Sequence, residues 1–223
     1  MSDTNENIAF ENATLIYNGK ELEEHVEDVL CGIDKARFLL NDLLDYIYRP
    51  NDRKICCLYG LKMTGKNIMM LQSIKALNDY NNCLLIDCGK DVSVFQLRKI
   101  IESYPACKYI FIDEITKAEN FIDTSSVLAN KYAAEGKKVI AMGTDSFGFF
   151  LAKQDELFDR ANIIHTTYIS YAEYHHICGK SISDYIKYGG TLSRENVFYN
   201  RGTTNAYSNS AIAYNIMHSL EKW

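Results

Sequence analysis

The sequence lacks the features that divide a chain into separate parts or direct it to a membrane. Its 223 residues include only two prolines, Pro50 and Pro105, and there is no low-complexity tract, long linker or internal repeat. No apolar run approaches the ~20 residues that a membrane-spanning helix needs, and the N-terminus has no basic stretch followed by an apolar one, as a signal peptide would have. These absences predict one continuous domain without a membrane segment, and we expect it in the cytoplasm.

An excess of positive charge is also missing. The chain has 24 Lys and Arg against 29 Asp and Glu, which gives a net charge of −5. A global basic field that would attract nucleic acid is therefore excluded, and nucleic-acid binding is not indicated by the sequence. Only residues 49–54, RPNDRK, concentrate basic side chains, and these could equally flank a ligand or be solvated.

Cysteines are present, but not in the pattern of a metal site. Their number, seven, is odd, Cys56 and Cys57 are adjacent within an apolar run, and no pair has C-x-x-C spacing. We interpret them as reduced and mostly buried. The stretch YHHIC, from Tyr174 to Cys178, is an alternative metal site, but no nearby residues complete a set of ligands.

Hydrophobic residues make up 47% of the chain and alternate between two patterns. Short, wholly apolar runs are typical of parallel strands that are covered on both faces, and here each of the first four is followed by a helical pattern. The runs are residues 55–60, 83–88, 108–115, 137–143 and 162–169. This alternation predicts an α/β fold with a five-stranded, mostly parallel sheet covered by helices on both faces.

Helical patterns also flank this alternation. Residues 21–48 carry apolar positions at helical spacing, with a possible break at Gly32, and the chain becomes helical again past residue 170. We therefore divide the chain into an N-terminal helical segment (1–50), a core (51–170) and a C-terminal helical segment (171–223).

The turn after the first apolar run has the spacing of a phosphate-binding loop. Gly60, Gly65 and Lys66 fit the Walker A pattern G-x-x-x-x-G-K, but Asn67 stands where a serine or threonine is expected. In such a loop the glycines let backbone N–H groups approach phosphate oxygens, and the lysine reaches the terminal phosphates. An ordinary glycine-containing turn is the alternative. The predicted phosphate-binding residues are Gly60, Leu61, Lys62, Met63, Thr64, Gly65, Lys66 and Asn67.

Polar groups end two later apolar runs. Asp113 and Glu114 close the third run in a Walker B pattern, where an Asp orients a magnesium ion and a Glu can activate the attacking water. They could instead lie at an exposed strand end, because burying unpaired charges is costly. Thr144 and Asp145 follow the fourth run and could contact phosphate or water if the first and third strands flank it, but such residues are also common in turns.

Arg160 lies just before the fifth apolar run. In an oligomeric ATPase, an arginine at this place could reach the γ-phosphate bound by a neighbouring subunit and offset charge in the transition state. The alternative is a surface ion pair with Asp159 or Glu156.

In this order, the motifs resemble those of a predicted superfamily of prokaryotic AAA-type ATPases. Its members read roughly G-P-R-q-v-G-K-[ST], i-f-[IL]-D-E-i, v-i-l-T-G-S, an arginine before l-x-P-l-s-f-x-E, and Y-x-x-x-G-G. This chain has GLKMTGKN, YIFIDEI, VIAMGTDS, Arg160, TYISYAEY and YIKYGG in the same order, over about residues 50–195. The resemblance implies ATP and Mg²⁺ as cofactors, a possible homo-oligomer in which Arg160 acts on a neighbour, and a longer protein of which this chain is the ATPase portion.

Two departures from the superfamily pattern lie in the loop. Leu61 and Lys62 replace the usual Pro-Arg, and Asn67 replaces the hydroxyl that binds magnesium. An asparagine carbonyl is an acceptable hard oxygen ligand, but the amide is bulkier and carries an NH2 group that must point away from the metal.

Asn67 therefore leaves two main hypotheses about function. In the first, the chain is a Mg²⁺-dependent ATPase in which Lys66 clamps phosphate, Asn67 and Asp113 hold the ion, and Glu114 is the base. In the second, it is a nucleotide-binding switch or interaction module that hydrolyses little or no ATP. A decayed P-loop that binds no nucleotide is a third possibility.

Overall fold

The computed structural model describes residues 14–89, 92–143, 159–167 and 169–188. They form a six-stranded sheet with helices on both faces, so the predicted α/β fold is confirmed. The predicted helices over residues 147–158 and 208–223 lie outside the described residues, as do Thr144 and Asp145.

The strands follow the spatial order β1-β3-β4-β5-β2-β6. All neighbouring pairs are parallel except β1 and β3, which run antiparallel. The five predicted strands are all present, and the additional strand, β1, lies at one edge of the sheet. The strands are β1 Leu15–Asn18, β2 Ile55–Gly60, β3 Cys83–Asp87, β4 Tyr109–Asp113, β5 Lys138–Gly143 and β6 Ala161–Thr166.

The helices of the described residues agree with the periodicity of the sequence. The predicted break near Gly32 is confirmed, because α1 ends at Leu30 and α2 begins at Leu40. Helix α4 begins with a capping box in which Ser93 and Gln96 each bond the other's backbone N–H. The helices are α1 Gly19–Leu30, α2 Leu40–Tyr48, α3 Lys66–Leu77, α4 Val94–Ser103, α5 Phe121–Val127, which continues as a π-helix over Leu128–Ala133, α6 Tyr171–Cys178 and α7 Ile182–Tyr188.

Alternate strand residues face two separate hydrophobic cores. This is the arrangement that wholly apolar strands require, since neither face of the sheet is left to water. The first core joins one face to α4 and the α5–π-helix unit through Ile55, Cys57, Ile110, Val139, Leu97, Ile100, Leu128 and Tyr132. The second joins the other face to α1, α2 and α3 through Cys56, Leu58, Phe111, Ile140, Leu22, Val26, Leu43, Met70 and Ile74.

Parallel pairing places the carboxyl ends of five strands at one edge of the sheet. Gly60 is in register with Thr166, and Asp87 with Asp113. Strand β5 lies between β2 and β4, so the strand that leads into the predicted phosphate loop and the strand that ends at Asp113 are separated by one strand. None of the helices in the described part of the chain has the length and apolar character needed to cross a membrane.

Candidate functional site

The loop between β2 and α3 begins with a glycine that its neighbour makes necessary. Gly60 has φ +140°, and a Cβ placed there would lie 2.0 Å from the backbone oxygen of Thr166. This oxygen accepts a hydrogen bond from the N–H of Leu61 at 3.2 Å, so the end of β6 packs directly against the start of the loop. The first glycine of the motif is thus required by close backbone contact.

Two threonines fix the inside of the loop. The Thr166 hydroxyl donates to the carbonyl of Tyr59 at 3.0 Å, and the Thr64 hydroxyl donates to the carbonyl of Leu61 at 2.7 Å. The two hydroxyl oxygens are 3.3 Å apart, and both side chains are fully buried. The loop therefore has a defined shape, which a flexible glycine-containing turn would lack.

The lysine of the motif is folded against the loop. Lys66 is buried, and its ammonium donates to the carbonyls of Gly60, at 3.0 Å, and of Leu61. Burial lowers its pKa to about 8, while the charges of Glu114 and Asp113 act in the opposite direction. The two acids thus lie close enough for their charges to act on the lysine.

Asn67 and Asp113 are in direct contact across the end of β5. The amide Nδ2 of Asn67 donates to Oδ2 of Asp113 at 2.7 Å. The NH2 group, which has to point away from a metal, therefore has an acceptor, and the amide oxygen is left for another partner. This contact joins the first turn of α3 to the carboxyl end of β4.

The residues present fit a hydrated Mg²⁺ ion. Oδ1 of Asp113 is buried and has no hydrogen-bond partner among the described residues, and the residue is 7% exposed. Burial raises the pKa of this carboxyl to about 6, although the bond from Asn67 acts to lower it. A buried carboxylate oxygen without a partner is rare in folded proteins, and a metal or its bound water would satisfy it.

Glu114 and Asp87 complete an acidic edge at the ends of β4 and β3. Glu114 has a left-handed backbone, φ +52°, at the point where β4 turns into a 3₁₀ turn over Ile115–Lys117, and its carboxylate lies 3.9 Å from the Lys117 ammonium. Asp87 is in register with Asp113, and burial raises its pKa. Asp87 was not predicted, although it ends an apolar run as Asp113 does.

The remaining loop residues differ in how far they are exposed. Leu61 is fully buried, whereas Met63 is 40% exposed and has φ +59°. The positive charge of Lys62 lowers the pKa of Lys66. The two departures from the Pro-Arg pattern are therefore accommodated in a loop whose backbone still turns between β2 and α3.

Arg160 lies at the opposite end of the sheet from the loop. It precedes Ala161, which is in register with Ile55 at the start of β2, and its Nη1 donates to Oδ1 of Asn130. About 16 Å of strand separates the two ends of β2 at ~3.3 Å per residue, so Arg160 does not reach Lys66 of its own chain. The contact with Asn130 is not the ion pair with Asp159 considered as an alternative, and Glu156 lies outside the described residues.

Two residues that were not predicted from the sequence form an ion pair beside the loop, and one of them bonds its backbone. Arg37 and Glu173 form a buried ion pair, and Arg37 also donates to the carbonyl of Thr64 at 2.9 Å. Glu173 belongs to the TYISYAEY motif, but the motif by itself indicates no role for the acid. Arg37 lies outside all the motifs, so no local signal marks it.

The histidine-rich stretch of α6 has a local partner. Nδ1 of His175 lies 2.8 Å from the carbonyl oxygen of Lys180. Within the described ranges there is no group of three or more His, Cys, Asp or Glu side chains that could hold a metal ion. The described cysteines are free thiols, mostly buried.

Comparisons with known structures find the same fold. The S. cerevisiae Hsp104:casein complex in its extended conformation has a TM-score of 0.52 and 15% identity, over 89% of this chain and 39% of that one. C. elegans PCH-2 has a TM-score of 0.50 and 13% identity, over 77% of this chain and 54% of that one. The chain thus spans roughly two fifths to half of the length of these proteins. A comparison with curated proteins finds no match.

A family comparison goes further than these structural likenesses. The AAA domain family matches residues 52–175, which is more than half of the chain. This range begins just before β2 and ends within α6, so it includes the loop, Asn67, both acids of β4 and Glu173. The chain therefore belongs to the AAA domain family of P-loop ATPases.

Proposed function

We propose that the chain binds ATP with Mg²⁺ and hydrolyses it to drive a conformational change in a larger protein or complex. The contact between Asn67 and Asp113 carries this proposal. It brings together the motif residue that departs from the P-loop pattern and the acid two strands away, beside a lysine whose charge both acids influence.

Each residue has a defined task in this proposal. The loop amides and Lys66 bind the phosphates, and Asn67 and Asp113 are the residues that would hold the metal, since Oδ1 of Asp113 has no partner among the described residues. When bound, Mg²⁺ would neutralise charge on the phosphate oxygens. Glu114 accepts the proton of the attacking water. Arg160, which lies at the far end of its own sheet, acts on nucleotide bound by another copy in a homo-oligomer.

The Glu114→Gln variant tests the catalytic part of the proposal. We expect it to bind ATP with the affinity of the unchanged protein and to release phosphate at least about a hundredfold more slowly, because only the proton acceptor is lost. Calorimetric titration gives the affinity, and a phosphate-release assay gives the rate. Glu119→Gln, at an exposed acid five residues away, is the matched control. Unchanged hydrolysis in Glu114→Gln would remove Glu114 from the mechanism.

A nucleotide-binding switch is the second candidate, and Asn67 is the observation that favours it. Its amide donates a hydrogen bond directly to the Asp113 carboxylate, so the loop and β4 are joined without a metal ion. A serine or threonine hydroxyl at this position would instead join them by binding the metal. Titration of the unchanged protein with ATP, once with Mg²⁺ and once with EDTA, separates the candidates. Equal affinity in both, without phosphate release, supports the switch, whereas metal-dependent affinity with turnover supports the ATPase.

The proposed site lies in the core, residues 51–170, between the N-terminal segment 1–50 and the C-terminal segment 171–223. We propose that the two flanking segments also take part in the site. Each supplies one residue of the buried ion pair beside the loop: Arg37 comes from the first segment and Glu173 from the second.

A further inference from the structure

Arg37 and Glu173 form the most fully buried ion pair among the described residues. The guanidinium donates to both carboxylate oxygens, from Nε at 3.0 Å and from Nη2 at 2.8 Å, and the side chains are 5% and 6% exposed. The backbone N–H of Phe38 donates to the same carboxylate at 2.8 Å. These bonds, with Arg37 first among them, hold the pKa of Glu173 below its usual range against the effect of burial.

Such a pair is a poor means of stabilising a fold. The cost of removing two charges from water offsets much of their attraction, and well-packed apolar side chains often serve as well. The placement of this pair therefore suggests a more specific role. The guanidinium nitrogen that does not bond the carboxylate, Nη1, donates to the backbone carbonyl of Thr64 at 2.9 Å.

The bond to Thr64 fixes the direction of one peptide group in the phosphate loop. In a trans peptide the C=O and the following N–H point in opposite directions. When Arg37 holds the carbonyl of Thr64 on its own side, the N–H of Gly65 points away from Arg37. Gly65 can hold this orientation because its φ is +82°, a conformation that glycine adopts without strain.

We propose that Arg37 and Glu173 are positioning residues that orient the Thr64–Gly65 peptide for phosphate binding. The inference rests on the proposed function, because it assigns the pair to the same site. Arg37 makes the contact with the loop, and Glu173 sets the plane of the guanidinium through two parallel bonds. Helix α6, whose first turn carries Glu173 and is capped by Ser170, is thereby linked to the loop.

A double substitution separates positioning from stability. Replacing one partner alone leaves a buried, unpaired charge and could prevent folding. In Arg37→Met/Glu173→Met both charges are removed and apolar volume is kept, so the protein should fold, but the Thr64 carbonyl loses its donor. We expect ATP to bind about tenfold more weakly or worse, as measured by calorimetric titration at equal folded concentration.

Tyr46→Phe is the matched control. At the opposite end of the sheet, the Tyr46 hydroxyl donates to the carbonyl of Lys54 at 2.8 Å and accepts from the backbone N–H of Val139 at 3.3 Å, so its loss affects stability without touching the loop. Its affinity for ATP should remain that of the unchanged protein. Wild-type affinity in the Met/Met protein would overturn the positioning role, even if its melting temperature changed.

Hydrogen exchange in the absence of nucleotide keeps this inference separate from the proposed function. We expect the amides of residues 61–67 to exchange faster in the Met/Met protein than in the unchanged protein, whereas those of β4 do not change. If the unchanged protein binds no ATP but the loop is loosened, the proposed function fails and the positioning role stands. If exchange in the loop is the same in both proteins, the positioning role is wrong.

Discussion

At the scale of single residues, a buried carboxyl group in the candidate site is electrostatically unfavourable when it is ionised. Burial raises the pKa of Asp113 to about 6, and one of its oxygens has no hydrogen-bond partner in the described part of the chain. An acid with a raised pKa binds more protons in the folded state than in the unfolded state between about pH 4 and 6, so its contribution to stability falls as the pH rises through that range. Above pH 6 the ionised carboxylate lowers the free energy of unfolding by its full amount, about 3 kcal/mol at 1.36 kcal/mol per pKa unit.

Replacing Asp113 with Asn should stabilise the ligand-free protein. The amide keeps the shape and can still accept from Asn67, but it carries no charge. We expect the free energy of unfolding to rise by about 2 kcal/mol at pH 7.5 and by about half as much at pH 5, where part of the cost is absent. Chemical denaturation at the two pH values measures the difference. Asp45→Asn, at an exposed acid of α2, is the control. An equal gain at both pH values would contradict the prediction.

Among single residues, those within contiguous motifs could be predicted, and those paired over long separations could not. Lys66, Asn67 and Asp113 each belong to a local pattern with a known geometry. Arg37 and Glu173 are 136 positions apart, and neither pattern nor spacing indicates that they meet. Their contact depends on how α6 packs beside the loop, which is a tertiary property.

At the scale of elements, the junction of β2, the loop and β6 determines where the site lies. Strand β6 ends at Thr166, in register with Gly60, and its backbone occupies the space that a side chain on Gly60 would need. The site thus depends on a parallel pairing between two strands more than 100 residues apart in sequence.

Gly60→Ala should therefore destabilise the protein more than Gly136→Ala. Both glycines have positive φ, +140° and +96°, but a Cβ at Gly136 meets no atom within 4 Å, whereas one at Gly60 would overlap backbone. We expect an additional loss of at least about 2 kcal/mol for Gly60→Ala, the scale of overpacking in a rigid interior. Urea denaturation of both variants measures it, and equal losses would show that the β2–β6 contact is not rigid.

The elements themselves were largely predictable, for a physical reason. Strands β2 to β5 are buried runs bounded by turns, so composition alone marks them, and β6 was predicted although it is partly exposed at the other edge of the sheet. Strand β1 was missed because it has only four residues, LIYN, and at the edge of the sheet it is partly exposed. The third run was predicted to extend to residue 115, but β4 ends at Asp113 because Glu114 adopts a left-handed backbone.

At the scale of the whole molecule, the two ends of the sheet carry different groups. The loop and the acids lie at the carboxyl ends of the strands, and Arg160 lies at the amino end of β6. One chain therefore cannot bring its own Arg160 to its own Lys66. If Arg160 takes part in catalysis, it must act on a second copy.

Mixing two inactive variants tests this arrangement. Glu114→Gln lacks the proposed base and Arg160→Ala lacks the proposed arginine, and each alone should release little phosphate. In a mixed assembly, an Arg160→Ala subunit keeps Glu114 and can receive Arg160 from a Glu114→Gln neighbour, so phosphate release should recover to about a quarter of the unmixed wild-type rate or less. A mixture as inactive as its components, although the subunits exchange, would contradict action between copies.

The folded position of Lys66 has a consequence for how the site takes up charge. With a pKa of about 8, the buried amine is only partly protonated in mildly alkaline solution. A polyanion that binds Lys66 would favour the ammonium form, so binding would be accompanied by proton uptake from the buffer. Association would then weaken progressively in more alkaline media, even if every contact in the loop stayed in place.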